Sequence, residues 1–318
     1  MRKRPLGKTG ITVSEIAFGG VEIGLPYGIG VKSAADMLSV SEAIRLLHAA
    51  VASGINFYDT ARLYGESEKI MGQAFRGRRD KVVICTKCKH ITNQDGSVPP
   101  ERELKTRIES SLSESLSFLQ TDCVDVLMLH QATSAILNDG AVPEIFAGLK
   151  KAGKIRATGI STYTPEETAL AINKGFWDVI QLPFNLIDQR QKDFFPAAEK
   201  AGVGLVIRSV LLKGLLSDKG KNLHPALAGV ENHIKNYDRL LEDVACPLST
   251  LAVKFVLSFP EIASALVGID SFGYLKQALE AADGEYLNGD RLELAGRLAF
   301  PDPDFINLPH WDKMNWLK

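Results

Sequence analysis

No surplus charge of either sign marks this chain: 37 Lys and Arg stand against 38 Asp and Glu over 318 residues, a formal net charge of −1. A nucleic-acid binder needs a basic surplus to displace counterions, and a polybasic anchor needs one to meet anionic lipid. Neither nucleic acid nor a membrane is therefore an expected partner. No uncharged apolar run approaches the ~18 residues of a membrane span. Four cysteines are too few for a disulfide scaffold in a chain of this length. The segment Met1-Arg2-Lys3-Arg4-Pro5 is basic, but Leu6-Gly7-Lys8-Thr9-Gly10 after it is turn chemistry and not a signal-peptide core. A reduced cytoplasmic protein is the default expectation. No Pro/Ser-rich linker cuts the chain, so residues 1–318 read as a single domain.

One cysteine pattern needs weighing. Cys85 and Cys88 form a C-x-x-C. A redox C-x-x-C wants its first thiol at a helix N-terminus, where the dipole lowers its pKa. These two lie at the end of an apolar, strand-like run, and no second C-x-x-C completes a zinc site. No metal site is expected.

Short β-branched runs alternate with amphipathic ones. Strand candidates are residues 15–19, 55–59, 81–87, 124–130, 155–160, 179–182, 203–207 and 264–267. Between them, 41–53, 66–76 and 101–119 carry apolar residues at i, i+3, i+4 and i+7, the face of a buried helix. Gly54, Gly77, Gly153, Gly175 and Gly202 stand where helices should stop. Alternating β and α units imply a parallel sheet with helical crossovers, and eight of them at this length fit a closed (β/α)8 TIM barrel. Pro5 to Gly10 reads as an N-terminal β-hairpin. A long loop follows strand seven, Ser209 to Cys246, with a short helix near Val230–Leu241. The C-terminal tail carries Trp311 and Trp316, whose apolar bulk favours docking over the barrel near the substrate.

In such a barrel the active site lies at the C-terminal ends of the strands. Strand two ends in Asp59, with Tyr64 in the loop beyond; strand three ends in Lys87 and strand four in His130. A carboxylate, a phenol, an amine and an imidazole thus converge on one face. A free phenol has a pKa of about 10, and a nearby ammonium can lower it by ~1–3 units. Asp59 can hold Lys87 in place, and His130 can donate a hydrogen bond to a carbonyl oxygen. The set describes a proton donor aimed at a carbonyl that receives a hydride. Singly, each residue has a structural reading: an N-cap, a loop anchor, a solvated strand end, a core histidine. Together, at successive strand ends, they favour the catalytic one.

These residues resemble the aldo-keto reductase family. Asn56-Phe57-Tyr58-Asp59-Thr60-Ala61-Arg62-Leu63-Tyr64-Gly65-Glu66-Ser67-Glu68 is similar to its signature around Asp and Tyr, Cys85-Thr86-Lys87 to its Lys strand, and Leu127-Met128-Leu129-His130-Gln131 to its His strand. The likeness is to a bacterial-type member and runs from Leu6 to about Ala282. It implies a nicotinamide cofactor. Ser161, Thr162 (where Asn is usual) and Gln181 match the residues around the carboxamide, and Phe184 matches the aromatic stacked under the ring. Ser209, Leu211, Lys213 and Gly214 match the loop over the pyrophosphate, with Arg208 just before it open between a substrate anion and a structural ion pair. Gly268, Asp270, Tyr274 and Gln277 match the adenosine end. Asp270 stands where NADP-using relatives place a basic residue, which leans the cofactor toward NAD(H) over NADP(H); Lys276 is the main opposing cation. The glycines from Gly19 to Gly30 do not form a dinucleotide-binding G-x-G-x-x-G at a strand–helix junction and read as a pliable loop.

The resemblance implies an NAD(P)-dependent oxidoreductase of small carbonyls or alcohols, with Asp59, Tyr64, Lys87 and His130 as its catalytic set. Residues 265–271 are similar to the family's sugar dehydrogenases, such as plant L-galactose dehydrogenase, and lean the substrate toward a sugar or polyol. The alternative is a cofactor-binding regulatory subunit of a membrane channel with little turnover. A third reading, independent of the family, makes Lys87 the Schiff-base nucleophile of an aldolase. Oligomeric state is not legible.

Overall fold

The structure is a computed structural model and describes residues 1–31, 33–242 and 246–317. A short antiparallel hairpin, β1 (Lys3–Pro5) and β2 (Thr12–Ser14), opens the chain. Its turn closes with Leu6 N–H donating to the Ile11 carbonyl at 2.8 Å. Eight parallel strands follow: β3 (Ile16–Gly19), β4 (Phe57–Asp59), β5 (Val83–Lys87), β6 (Val124–Leu129), β7 (Ile155–Ser161), β8 (Val179–Pro183), β9 (Gly204–Arg208) and β10 (Ile262–Gly268). They close into a barrel, β10 pairing with both β3 and β9. All eight strand candidates and the hairpin are present, with ends shifted by one to a few residues.

The crossover helices form for local reasons. Val40–Ala52 starts at a capping box in which Ser39 and Glu42 satisfy each other's end of the first turn. Pro165–Lys174 has the same device in Thr164 and Glu167 and stops at Gly175, whose φ of 66° is the left-handed cap glycine favours. Glu101–Leu119 spans the range its periodicity predicts and buries Leu104, Ile108, Leu112 and Leu119 on one face. The loop after β9 holds the short helices Ala228–Ile234 and Asp238–Leu241; its stretch at 243–245 lies outside the described residues. Among the described residues no helix is long and apolar enough to cross a membrane.

Strand alternation sorts the core into two clusters. Phe57, Val83, Cys85, Val126, Met128, Ala157, Val179 and Val206 fill the barrel interior; their sequence neighbours pack outward against the helices. The hairpin plugs the N-terminal end of that interior with Leu6, Ile11 and Val13. Arg4 pins the plug through hydrogen bonds to the carbonyls of Leu257, Phe259 and Ile262 and an ion pair with Glu15. Leu6 presses so closely on Gly204 that a Cβ there would lie 2.8 Å from its side chain. With one end plugged, a ligand can approach the barrel axis only from the C-terminal ends of the strands.

Leu6→Ala should therefore open a cavity at the plug and cost about 2–5 kcal/mol of stability. Urea unfolding checks this, and a loss below about 1 kcal/mol would mean that the hairpin is not part of the barrel core.

Candidate active site

The inward positions continue two residues beyond the apolar interior, at the C-terminal ends of the strands. From Phe57 the next inward residue is Asp59; from Cys85 it is Lys87; from Met128, His130; from Ala157 and Gly159, Ser161; from Val179, Gln181; from Val206, Arg208. The apolar interior thus ends in a polar layer of six side chains from six successive strands. Gly159 is part of the same logic, since a Cβ there would come within 2.6 Å of the Met128 side chain.

The centre of the layer is a buried ion pair. Lys87 Nζ lies 2.5 and 2.7 Å from the two Asp59 oxygens and 3.2 Å from the Thr60 carbonyl. Both side chains are 1% exposed. Burial by itself lowers the Lys87 pKa, but Asp59, Tyr64 and Cys85 raise it, and the net direction is upward. Lys87 is therefore held as an ammonium, which disqualifies it as the free amine a Schiff base requires. Its Nζ sits 5.0 Å from the centre of the Tyr64 ring. Burial pushes the Tyr64 phenol up; Lys87 pulls it down and Asp59 opposes that pull, so the net direction is up. That reverses the simple expectation from an adjacent ammonium, because the desolvation of a phenolate outweighs a cation that already has its own counterion. Tyr64 meets His130 edge to face at 5.4 Å. Burial, then Lys87, His90 and Arg208, push His130 down to about 3, so the imidazole is neutral. Its Nδ1 is buried with no hydrogen-bond partner.

Buried contacts beneath the loop explain the rest of the signature around Tyr64. Glu68, fully buried, accepts from Thr86 at 2.6 Å and pairs with Arg62, and Thr60 donates to Ser67 at 2.8 Å. These bonds tie the loop after β4 to β5 and so fix Tyr64 over Lys87.

A cleft of about 360 Å³ opens above this layer. Tyr64, His130, Asp59, Ser161 and Gln181 line one part of it, and Ser209, Leu211, Lys213, Gly214, Gly268, Asp270, Tyr274 and Gln277 line the rest. Two expected cofactor residues lie elsewhere. Phe184 is fully buried on the outer side of β8, stacked among Phe195, Phe255 and Phe259, because its place in the alternation turns it toward the helices. Thr162 is likewise out of phase with Ser161 and shares a buried hydrogen bond with Thr168 at 2.7 Å. Gln181 lines the cleft, but its amide donates to Asp59 at 2.8 Å. Lys276 points away, exposed and paired with Glu280.

The residues present fit a dinucleotide. Four cleft residues carry buried polar atoms without partners: Glu22 Oε2, His130 Nδ1, Arg208 Nε and Thr250 Oγ1. Ser209, Leu212 and Lys213 all adopt positive φ, a strain of ~1–3 kcal/mol each of the kind that gathers at ligand clamps. Glu22 was not legible in the sequence: it lies in a glycine-rich loop with no motif. Its carboxyl rests on Gly268, where a Cβ would lie 2.0 Å from it, and burial pushes its pKa up to about 8. The tail also reaches the cleft. Leu308–Lys313 is a short helix with Trp311 fully buried, and its Asp312 pairs with Lys213. The tail thus braces the loop after β9.

The aldo/keto reductase family matches residues 15–290. The Bacillus subtilis oxidoreductase YqkF is 28% identical over 92% of this chain and 95% of its own length. L-galactose dehydrogenase of Arabidopsis thaliana is 30% identical over 87% of each. Among solved structures, the holo form of aldo-keto reductase AKR11C1 from Bacillus halodurans superposes with a TM-score of 0.77 at 27% identity, covering 94% of this chain and 96% of its own.

Cys85 and Cys88 are both buried, and burial pushes the Cys88 thiol up to about 12. A thiol reagent added to the native protein should therefore modify only Cys123 and Cys246. Mass spectrometry of digests checks this; rapid labelling of Cys85 or Cys88, or a disulfide between them, would restore the redox reading.

Proposed function

The chain belongs to the aldo/keto reductase family and is an NAD(P)-dependent oxidoreductase of carbonyls and alcohols; from that premise we propose that Tyr64 is its acid/base, NAD(H) its preferred cofactor, and a sugar or polyol its substrate. When bound, the nicotinamide supplies or takes the hydride. Ser161 and the free end of the Gln181 amide would hold its carboxamide, residues 209–214 its pyrophosphate, and Gly268, Asp270, Tyr274 and Gln277 its adenosine end.

The observation that carries this reading is the phenol above a clamped ammonium. In the reductive direction Tyr64 donates its proton as charge develops on the carbonyl oxygen. The phenolate left behind lies beside Lys87, which Asp59 keeps charged and in place. His130, neutral, offers an N–H to the same oxygen and needs no proton of its own to do so. In the oxidative direction the Tyr64 phenolate accepts the proton of the alcohol.

The cofactor preference rests on Asp270, in the part of the cleft assigned to the adenosine end. A carboxylate repels a 2′-phosphate and accepts from a free ribose hydroxyl. Lys219, whose ammonium sits 5.4 Å over the Tyr274 ring, opposes the preference and keeps it modest. The substrate reading is supported by the likeness to L-galactose dehydrogenase and by Tyr27 and Tyr163 at the cleft, whose hydroxyls suit a polyol.

Tyr64→Phe should retain its dissociation constant for the cofactor and lose at least ~10²-fold in turnover. Because the phenol pKa is raised, Tyr64 is protonated throughout the neutral range. Reduction should therefore stay flat from pH 6 to 9 while oxidation climbs up to ~tenfold per unit. Steady-state rates in both directions, under conditions where hydride transfer limits, check this; parallel pH profiles would remove Tyr64 from the role.

For the cofactor, fluorescence titration should show wild type binding NADH more tightly than NADPH, and Asp270→Arg should improve NADPH binding by ~10-fold or more, the worth of one charge-assisted contact. Wild type that favours NADPH, with no gain in the variant, would remove Asp270 as the discriminating residue.

A further inference from the structure

Three of the cations at the cleft or in the layer beneath it are accounted for. Lys87 is neutralised by Asp59, Lys213 pairs with Asp312, and Lys219 rests on Tyr274 within electrostatic reach of Glu22. Arg208 is different. Its hydrogen bonds go to neutral acceptors, the Thr162 carbonyl at 2.9 Å and the Ser209 hydroxyl at 3.3 Å. Its guanidinium lies 4.2 Å from the centre of the Tyr163 ring, and its Nε is buried without a partner. Among the described residues it makes no ion pair.

Its position is specific. Arg208 ends β9, two residues beyond Val206, which pairs with Gln181 on β8. Gln181 in turn pairs with Ser161 on β7. By reaching the Thr162 carbonyl, the guanidinium crosses the mouth of β8 and comes to rest at the end of β7, beside both amide-binding candidates. It is near enough to Tyr64 and His130 to pull both pKa values downward. With Asp59 and Lys87 cancelling, His130 neutral and Tyr64 a phenol, this end of the cleft carries one net positive charge, and that charge is Arg208.

We propose that Arg208 makes the cleft discriminate between the two redox states of the cofactor, binding the reduced form, whose nicotinamide ring is neutral, more tightly than the oxidised form, whose ring is a cation. The inference rests on the reading of Ser161 and Gln181 as the carboxamide contacts. Its consequence is for cofactor exchange. A site that destabilises the cationic ring fills with the reduced cofactor and releases the oxidised one more readily, while making the hydride transfer that creates that ring less favourable on the enzyme. Arg208 is then a specificity residue and takes no proton. The guanidinium needs no bound anion to stay in place, because the Thr162 carbonyl and the Tyr163 ring already hold it.

The test is to measure dissociation constants for NADH and NAD⁺ by quenching of protein fluorescence, for wild type, Arg208→Met and Arg208→Lys. Two unit charges a few ångströms apart in a partly solvated site interact strongly enough to change affinity by ~5-fold or more. Wild type should bind NADH more tightly by at least that factor, Arg208→Lys should keep most of the ratio, and Arg208→Met should lose ~5-fold of it. A ratio unchanged in Arg208→Met overturns the proposal. So does an unchanged ratio accompanied by a raised KM for carboxylate-bearing carbonyls alone, which would assign Arg208 to the substrate. Equal affinity of wild type for NADH and NAD⁺ overturns it without any variant. If wild type binds neither nucleotide, the reading of the cleft itself fails, an outcome distinct from binding with an unchanged ratio.

Discussion

Everything at the open end of the barrel is arranged around one buried ion pair. Asp59 and Lys87 sit on adjacent strands, nearly inaccessible to water, at the level where the apolar interior stops. Desolvating two charges costs several kcal/mol each, and their attraction offsets that only with good geometry and further hydrogen bonds. Here both Asp59 oxygens reach Lys87, one of them also accepts from Gln181, and Lys87 donates again to Thr60. The pair ties the ends of β4, β5 and β8 together and presents a fixed ammonium under Tyr64. The neutral His130 and the protonated Tyr64 are consequences, since each titrates in the field of that pair and in the dry environment around it.

The barrel was legible because its strands alternate with helices whose caps and stop glycines are in the sequence. The four residues proposed as catalytic were legible because each ends a strand or follows one closely. What misled was a likeness applied residue by residue without the phase of the strand. Phe184 sits three residues after Gln181 and Thr162 one after Ser161, odd offsets that turn both toward the helix layer. Counting by twos from Val83, Phe57 and Val126 picks out Lys87, Asp59 and His130, and the same count along β9 picks out Arg208. Glu22 and the bracing Asp312 were beyond such counting, because loop geometry and tail docking place them and no local period does.

The charge of the cleft is graded along its length. Asp270 lines one part of the cleft, and Arg208, which makes no ion pair among the described residues, lines another. On the proposed cofactor reading, that gradient meets a dinucleotide at its 2′ position and at its nicotinamide ring. The tail and the strained turn at Ser209 to Gly214 hold the middle through Lys213 and Asp312.

The most direct test of this account is a double-mutant cycle on the pair, with unfolding free energies from urea. Lys87→Met or Asp59→Asn alone breaks a tightly hydrogen-bonded buried pair, and Lys87→Met leaves a buried carboxylate unneutralised; each should cost about 3–5 kcal/mol. The double variant, with no charge left to desolvate, should recover most of that loss, so the two effects should couple strongly. Losses that simply add, or single variants as stable as wild type, would contradict the claim that this pair organises the site.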